Sequence, residues 1–320
     1  MIFARACRLL LGFSTLVPSG AVAAQARHEF TAVHMGVPVR MVLHAPSETV
    51  ARDAARAAFA RIAELDDKMS DYRPRSEVRL LSQHPGDWQT VSPELFVVLA
   101  RAEQVSRNSG GAFDVTIGPL VQLWRQSRRS GRLPDADELS RARSRSGAPL
   151  LEVDTLRNMV RLWAHGMQLD LGGIAKGYIL QEGLRVLRSR GVSSAMVEAG
   201  GDIVVGDPPP GQPGWSVFVA GGDSATLRRA QALSNAAVAT SGGTEQFVEI
   251  GGVRYSHIID PRTGIGMTSR YLVTVIAEDG ALADAAATAL SVLGPERAGY
   301  LRKTLPQALV SFRVLPENPR

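Results

Sequence analysis

One short segment, residues 254–264, brings together side chains that can act as a base, an acid, a hydroxyl donor and a cation. These side chains belong to His257, Asp260, Ser256 and Arg262. A Gly-Gly pair precedes the segment and Gly264 closes it, which predicts a strand that runs into a tight polar turn. A histidine there can serve as a general base. A single loop histidine more often satisfies the hydrogen bonds of a turn, so the segment needs support from elsewhere in the chain.

The segment Leu169–Tyr178 indicates an anion site. Asp170 and a Gly-Gly pair lead into the predicted N-terminus of a helix, where unpaired N–H groups and the helix dipole favour phosphate. Lys176 adds a cation in the first turn, a position that becomes favourable when an anion binds beside it. The segment is not a P-loop and lacks the G-x-G-x-x-G pattern, so by itself it is a weak phosphate signal.

Asp284 and Thr288 lie four residues apart in an otherwise alanine- and leucine-rich stretch, 283–290. On a helix this spacing puts a carboxylate and a hydroxyl on one face. Oxygen ligands without softer atoms suit Mg²⁺, which takes one or two protein groups together with substrate phosphate. The alternative is structural: Thr288 bonds back to the helix backbone and Asp284 is an acid in an early helical turn.

Two further residues have both a structural and a ligand-binding interpretation. Asp114, in the glycine-rich stretch 110–119, can accept a hydrogen bond from a ribose or a ring N–H, or can cap a turn. Tyr72 can stack on a base or pack against the protein. The corners at 198–202 and 239–243 have polar tips and predict nothing specific on their own.

Hydrophobic periodicity predicts the elements that position these residues. Helices are predicted at 50–65, from Ser92-Pro93 to Gly110, at 174–190, at 281–293 and near 296–305. Strands are predicted at 30–43 (as a pair), 196–197, 203–205, 215–219, 236–239, 247–250, 272–277 and 308–314. The helices and strands mix without regular βαβ alternation, which favours an α+β fold.

The N-terminus predicts a secretory signal peptide at residues 1–26. Arg5 and Arg8 precede an apolar run from Leu9 to Val17, and small residues then offer cleavage sites. The single cysteine, Cys7, precedes the apolar run, so it is badly placed to accept a lipid and is expected to leave with the signal peptide. These features predict export to the periplasm without stable membrane insertion.

The remaining chain, residues 27–320, is expected to form one domain. With 45% apolar residues it can bury a sizeable core, and no low-complexity linker divides it. The basic clusters Arg125–Arg132 and Arg141–Arg145 are interpreted as solvated helix faces. Neither is interleaved with aromatic residues, which disfavours a nucleic-acid partner.

Taken together and in this order, the segments resemble the ApbE family of FAD:protein FMN transferases. The matching pieces are Met35-Gly36, Met69–Tyr72 with Ser76-Glu77, Gly111–Pro119 with Trp124, Asp170–Tyr178, Gly200–Asp202, Thr240–Gly242, Tyr255–Gly264, and Ala283–Leu290 with Gly294. The resemblance spans residues 30 to about 294. Each motif alone is weak, whereas eight in register are specific.

The resemblance implies an exported, Mg²⁺-dependent enzyme. Such an enzyme cleaves the pyrophosphate of FAD and attaches FMN through a phosphoester bond to a threonine of a partner protein, releasing AMP. Partners of the family include membrane redox subunits. The implied fold is a single domain of two interlocked α/β lobes with mixed or antiparallel sheets.

The resemblance also assigns residues by position. Those implied to line the flavin dinucleotide are Met35, Tyr72, Ala112, Phe113, Asp114, Asp170, Lys176 and Ile258. Magnesium would be held by the backbone oxygen of Gly173 and by the side chains of Asp284 and Thr288. His257 matches a histidine near the reacting phosphate and is the candidate base. Ala287 stands where some members carry a further acidic metal ligand.

Two alternatives to the transferase stay open. One is a periplasmic FAD pyrophosphatase that releases FMN and AMP to water. The other is a flavin-binding or flavin-delivery protein without turnover, which would not need Lys176, His257 and the Asp284–Thr288 pair together. The transferase and the pyrophosphatase differ only in whether a protein hydroxyl competes with water, which the sequence does not distinguish, and transfer to a protein hydroxyl is the expectation.

Overall fold

The structure, a computed structural model, describes residues 25–220, 228–243, 247–303 and 305–314. The expected signal peptide lies outside these residues except for its last two positions, and the first strand begins at Ala26. No helix within the described residues is long and apolar enough to cross a membrane.

Seven α-helices occur in the described residues, and side-chain caps start most of them. They are α1 Glu48–Met69, α2 Glu77–Leu81, α3 Pro93–Asn108, α4 Gly118–Ser130, α5 Ala136–Arg143, α6 Ala175–Ser189 and α7 Gly280–Leu293. At the start of α3, for example, the Ser92 hydroxyl accepts a hydrogen bond from the Leu95 N–H, which satisfies one of the donors that a helix start leaves unpaired. Short 3₁₀ helices span Val115–Ile117, Ala148–Leu150 and Pro295–Lys303.

The strands form one large sheet and four small ones. They are β1 Ala26–His34, β2 Val37–Ala45, β3 Gln89–Thr90, β4 Leu151–Asp154, β5 Met159–Leu162, β6 Ala195–Ala199, β7 Asp202–Val205, β8 Trp215–Ala220, β9 Arg228–Leu233, β10 Ala236–Gly242, β11 Phe247–Ile250, β12 Val253–Ser256, β13 Ile259–Asp260, β14 Ile265–Gly266, β15 Tyr271–Ala277 and β16 Leu309–Val314. The large sheet has the order β1-β2-β6-β7-β10-β15-β16. Every pairing among the described strands is antiparallel.

The core forms because the two faces of the large sheet are covered by different elements. Helices α1, α6 and α7 contact one another and the sheet. Alternate residues of β2 divide between the faces, as the two-residue period of a strand requires. Met41 and Leu43 join the main core cluster with the helices, whereas Val42 joins a second cluster with Trp215 and Val217 of β8.

The predicted α+β class is confirmed, and the strongly periodic helices occur close to their predicted positions. The predicted helix at 296–305 is a 3₁₀ helix instead. Helix α2, of five residues, was not predicted because it is too short to show a period. Helices α4 and α5 were not predicted because their arginine-rich sequences are polar on average, although α4 carries a buried apolar stripe that includes Leu120 and Trp124. Their basic residues were interpreted as solvated faces, and for Arg125 on α4 that interpretation is wrong, as its contacts show below.

Candidate active site at the start of helix α6

Helix α6 begins without a capping side chain of its own. Ile174 stands at its N-cap and makes no side-chain cap hydrogen bond. The donor at Gly177 is satisfied by α7, because Asp284 Oδ2 accepts a hydrogen bond from the Gly177 N–H at 3.1 Å. Two glycines allow this approach: a Cβ at Gly177 would lie 2.5 Å from the carbonyl carbon of Gly280. The two helices therefore cross with backbone against backbone at the start of α6.

The three residues predicted to hold a metal meet at this crossing. A Cβ at Gly173 would lie 3.0 Å from Thr288 Oγ1, so the Gly173 backbone packs directly against that hydroxyl. Asp284 is 6% exposed. Burial, and then the nearby Asp202 carboxylate, raise the pKa of Asp284 to about 7.

This donor set fits Mg²⁺. It contains a carboxylate, a hydroxyl and a nearby backbone carbonyl, all hard oxygen atoms. A raised pKa in a buried carboxylate means that nearby positive charges and hydrogen bonds do not fully stabilise its ionised form. A divalent cation bound there would supply the missing stabilisation. No group of three or more His, Cys, Asp or Glu residues able to hold a metal occurs in the part of the chain that the structure describes. The buried Ala287 adds no ligand.

Lys176, in the first turn of α6, is held by a residue that the sequence left without a role. Its Nζ lies 2.9 Å from Asp202 Oδ2 and 3.4 Å from the Gly200 carbonyl oxygen. Asp202 is 2% exposed, and its Oδ1 accepts from the Thr240 N–H. Burial raises the pKa of Asp202, and Lys176 opposes this rise. The only sequence signal for this role was an aspartate directly after two glycines at the start of β7.

The predicted base, His257, projects from a loop whose neighbouring residues are buried. Its side chain is exposed, whereas Ser256 and Ile258 are buried on either side. The Ser256 hydroxyl accepts from the Ile258 N–H at 3.0 Å, and Met267 N–H donates to the Ile258 carbonyl at 2.8 Å. Both bonds fix the backbone around His257, so the imidazole is presented from a rigid corner.

The other polar residues of this loop serve its structure. Asp260 accepts from the guanidinium of Arg262 with both carboxylate oxygens, at 2.8 Å each, and its carbonyl accepts from the Gly264 N–H. Trp124 Nε1 donates to the Gly264 carbonyl at 2.8 Å, which ties the loop to α4. Asp260 and Arg262 therefore stabilise the turn between β13 and β14.

The segment 112–114 contributes apolar walls. Ala112 packs with Ile258 and Val292 in one buried cluster, which connects the His257 loop to α7. The ring of Phe113 lies 3.2 Å from the Cβ that Gly173 would carry. Asp114 Oδ1 accepts from both the N–H and the hydroxyl of Thr116. These bonds support the turn-capping alternative for Asp114.

The remaining predicted residues, Met35, Tyr72 and Asp170, lie on three different loops. Met35 has a left-handed backbone with φ 54°, and its N–H donates to Asp66 at 3.1 Å. Its turn lies near Lys176, because a Cβ at Gly200 would lie 3.9 Å from both Lys176 Nζ and the Val37 side chain. Left-handed backbone is rare outside glycine, and here it closes the β1–β2 hairpin.

Tyr72 and Asp170 are joined by Arg125. Tyr72 is 75% exposed, and the Arg125 guanidinium lies 4.2 Å from the centre of its ring. Asp170 accepts from the Gly172 N–H and lies 3.7 Å from Arg125. Sequence reasoning missed Arg125 because it stands in an arginine-rich stretch that resembles a solvated face.

Comparison with known proteins identifies one family. A model of the ApbE family matches residues 35–310. An FAD:protein FMN transferase of Vibrio cholerae is 35% identical over 74% of this chain and 72% of its own length. One from Klebsiella pneumoniae is 30% identical over 84% of each chain.

Solved structures give the same result. The crystal structure of the ApbE protein from Thermotoga maritima superposes with a TM-score of 0.79 at 30% identity, covering 90% of this chain and 97% of that one. The flavin transferase ApbE from Vibrio cholerae superposes with a TM-score of 0.77 at 29% identity, covering 92% and 95%.

Proposed function

This chain belongs to the ApbE family and is an FAD:protein FMN transferase, and we propose that it transfers FMN from FAD to a threonine of a partner protein with the help of Mg²⁺. The threonine oxygen forms a bond to the FMN-side phosphorus. The P–O bond to the AMP-side phosphate breaks, and AMP leaves with the electron pair. The observation that carries the proposal is the meeting of Lys176, Asp284 and Thr288 at the start of α6.

The start of α6 binds the pyrophosphate in this proposal. The positive end of the α6 dipole and the Lys176 ammonium attract the anion, and buried Asp202 keeps the ammonium in place. Gly173, Asp284 and Thr288 would hold Mg²⁺, which when bound neutralises phosphate charge. Phosphoryl transfer depends mainly on such positioning and charge neutralisation.

His257 is the proposed base for the incoming hydroxyl. It takes the proton of the threonine oxygen as that oxygen attacks phosphorus, a contribution of roughly 10²–10⁴-fold in rate. Its exposure supports this role, because an acceptor on a separate protein can reach only a base at the surface. Apolar and aromatic groups of Met35, Tyr72, Phe113 and Ile258 face the flavin dinucleotide.

A second candidate is hydrolysis, with water in place of the threonine. The exposure of His257 favours it as a side reaction, because a base that a protein hydroxyl can reach is also open to water. The two reactions share every residue named above and differ only in the nucleophile. The non-catalytic flavin-delivery alternative is set aside because this chain is an enzyme.

We also propose where the reaction takes place and on which partner. The charged start, apolar run and small residues of 1–26 support export to the periplasm. An exported flavin transferase would act on threonines exposed on that side of the membrane, and membrane-bound redox subunits are the proposed acceptors.

Mass spectrometry tests the proposal directly. The purified protein is incubated with FAD, Mg²⁺ and a threonine-bearing domain of an exported redox protein, and the acceptor mass and released AMP are measured. The acceptor is expected to gain one FMN group, and His257→Ala and Asp284→Ala are expected to abolish the gain. The matched control is His84→Ala, because His84 is also an exposed loop histidine and lies in the loop after α2.

Other outcomes of this experiment discriminate between the candidates. AMP and free FMN from the enzyme with an unmodified acceptor would favour hydrolysis. Transfer at the wild-type rate by His257→Ala would contradict the role of His257 as the base. Transfer that is unchanged by EDTA would contradict the use of Mg²⁺.

A further inference from the structure

Arg125 connects three parts of the site from a helix that the sequence did not predict. Its Nη2 lies 2.7 Å from Asp71 Oδ2 and 3.7 Å from Asp170 Oδ2, and its Cζ lies 4.2 Å from the centre of the Tyr72 ring. Its side chain is 25% exposed, against 15% for Asp71 and 16% for Asp170. One guanidinium therefore holds the loop after α1 against the loop before α6.

Arg125 places a positive charge where two carboxylates converge. Two carboxylates converge there, and burial first, and then the charge of Asp71, raise the pKa of Asp170, which Arg125 opposes. These carboxylates lie beside a helix start that must receive a pyrophosphate, itself an anion. Without the guanidinium they would repel both each other and the substrate.

The aromatic contact gives Arg125 a second task. A guanidinium over a tyrosine ring restricts the ring and leaves its other face open. Tyr72 is 75% exposed even with this partner, so the uncovered face is available to a flat ring. Its N–H is tied back to the Ser70 hydroxyl, which orders the loop that carries it.

We propose that Arg125 is a positioning residue for substrate: it fixes the Tyr72 ring as a platform on which a flat aromatic ring of FAD stacks, and its positive charge reduces the negative charge of Asp71 and Asp170 beside the pyrophosphate. The inference rests on the proposed function, because FAD is the ligand it positions. The stacked ring is either the isoalloxazine or the adenine, which share the flat aromatic face that the platform recognises.

Equilibrium binding and kinetics of four single variants and one double variant test this role. Arg125→Met removes the charge and the planar group, Arg125→Lys keeps the charge alone, and Tyr72→Ala removes the platform. Arg129→Met, at an exposed position on the same helix, is the matched control. FAD and FMN binding are followed by flavin fluorescence, which stacking on tyrosine quenches, and AMP binding is measured by its competition with FAD, so that the stacked ring can be identified.

Arg125→Met is expected to raise the Kd and KM for FAD about tenfold, the size of a well-formed cation–π and charge contact, and to change kcat less than about twofold. Arg125→Lys should fall between it and the wild type. The charge contribution of Arg125 is the difference in FAD affinity between Arg125→Lys and Arg125→Met. The double variant Arg125→Met with Tyr72→Ala should bind FAD more weakly than Tyr72→Ala alone by that contribution only, because the Tyr72 ring that Arg125 orients is already absent. If Arg125→Met loses affinity for FMN but not for AMP, the stacked ring is the isoalloxazine. If it loses affinity for AMP but not for FMN, the stacked ring is the adenine.

Three results would overturn the inference. They are an unchanged Kd for FAD in Arg125→Met, an equal loss in Arg129→Met, and full additivity of Arg125→Met and Tyr72→Ala. If Arg125→Met melts well below the wild type, the Kd for FAD of Arg125→Lys is compared with that of the wild type instead, because Lys keeps the charge of the ion pair. An unchanged Kd in Arg125→Lys would then overturn the inference. Wild-type protein that binds FAD but transfers no FMN would overturn the proposed function and leave this inference standing.

Discussion

Replacing Gly177 with alanine is expected to separate α6 from α7 at the point where the candidate metal residues meet. The added Cβ would lie 2.5 Å from the carbonyl carbon of Gly280 and 3.0 Å from the Cβ of Asp284. Real Cβ atoms do not approach backbone this closely, and a carbonyl group in a helix cannot rotate away. One of the helices must therefore move by about 1 Å or more.

The cost of this movement can be estimated from its parts. Overpacking a well-packed contact costs roughly 1–3 kcal/mol, and losing the hydrogen bond from the Gly177 N–H to the Asp284 carboxylate costs roughly 1.5–3 kcal/mol. Alanine in a helix interior returns about 1 kcal/mol relative to glycine. The net loss of stability is about 1.5–5 kcal/mol, which in a chain of 320 residues lowers Tm by roughly 2–8 °C.

Activity should fall even at temperatures where the variant remains folded. A displacement of about 1 Å between Asp284 and the start of α6 is enough for a fall of roughly 10²-fold in kcat. The assay measures Tm by differential scanning fluorimetry, and AMP release at a temperature where both proteins are folded.

Gly183→Ala on the same helix is the matched control. Its Cβ would meet no backbone atom, but only the Ile62 side chain, with Cδ1 at 2.9 Å and Cγ1 at 3.2 Å. That side chain can shift, so stability should change by less than about 1 kcal/mol. If Gly177→Ala is as stable and as active as Gly183→Ala, the close crossing of α6 and α7 does not position the site and the reasoning is wrong.

Two further predictions concern charges. Asp202→Asn removes the carboxylate that holds Lys176 at 2.9 Å. The kcat/KM for FAD, measured from AMP release, should therefore fall roughly 10–100-fold. An unchanged kcat/KM would show that Lys176 does not need the Asp202 carboxylate. Burial raises the pKa of Glu94, but hydrogen bonds from Arg61 and Lys68 outweigh it and lower the pKa from 4.5 to about 2. A lowered folded pKa stabilises the protein above pH 4.5, and this contribution is lost as the pH falls towards 2, so Glu94→Gln should flatten the acid limb of a plot of Tm against pH. Parallel acid limbs for the variant and the wild type would contradict this linkage.

Local sequence signals predicted the parts of the molecule that local energies decide. The Ser92-Pro93 start of α3 and the Asp284–Thr288 face of α7 follow from capping and from the 3.6-residue period, which depend on neighbours a few residues away. The histidine loop was predicted as a tight turn for the same reason. Its Asp260–Arg262 pair, however, belongs to the turn rather than to chemistry, a distinction that requires the hydrogen bonds themselves.

By itself the sequence determined which residue types are available, their order, and the helices, strands and turns that carry them. Only the tertiary structure decided that Asp202 holds Lys176, that Asp284 reaches the Gly177 N–H, and that Arg125 stacks on Tyr72 between two carboxylates. These contacts join residues separated by 26, 107 and 53 positions, so no periodicity or capping rule links them. They exist because the sheet and its helix layer bury the charges together, and burial then requires each charge to have a partner.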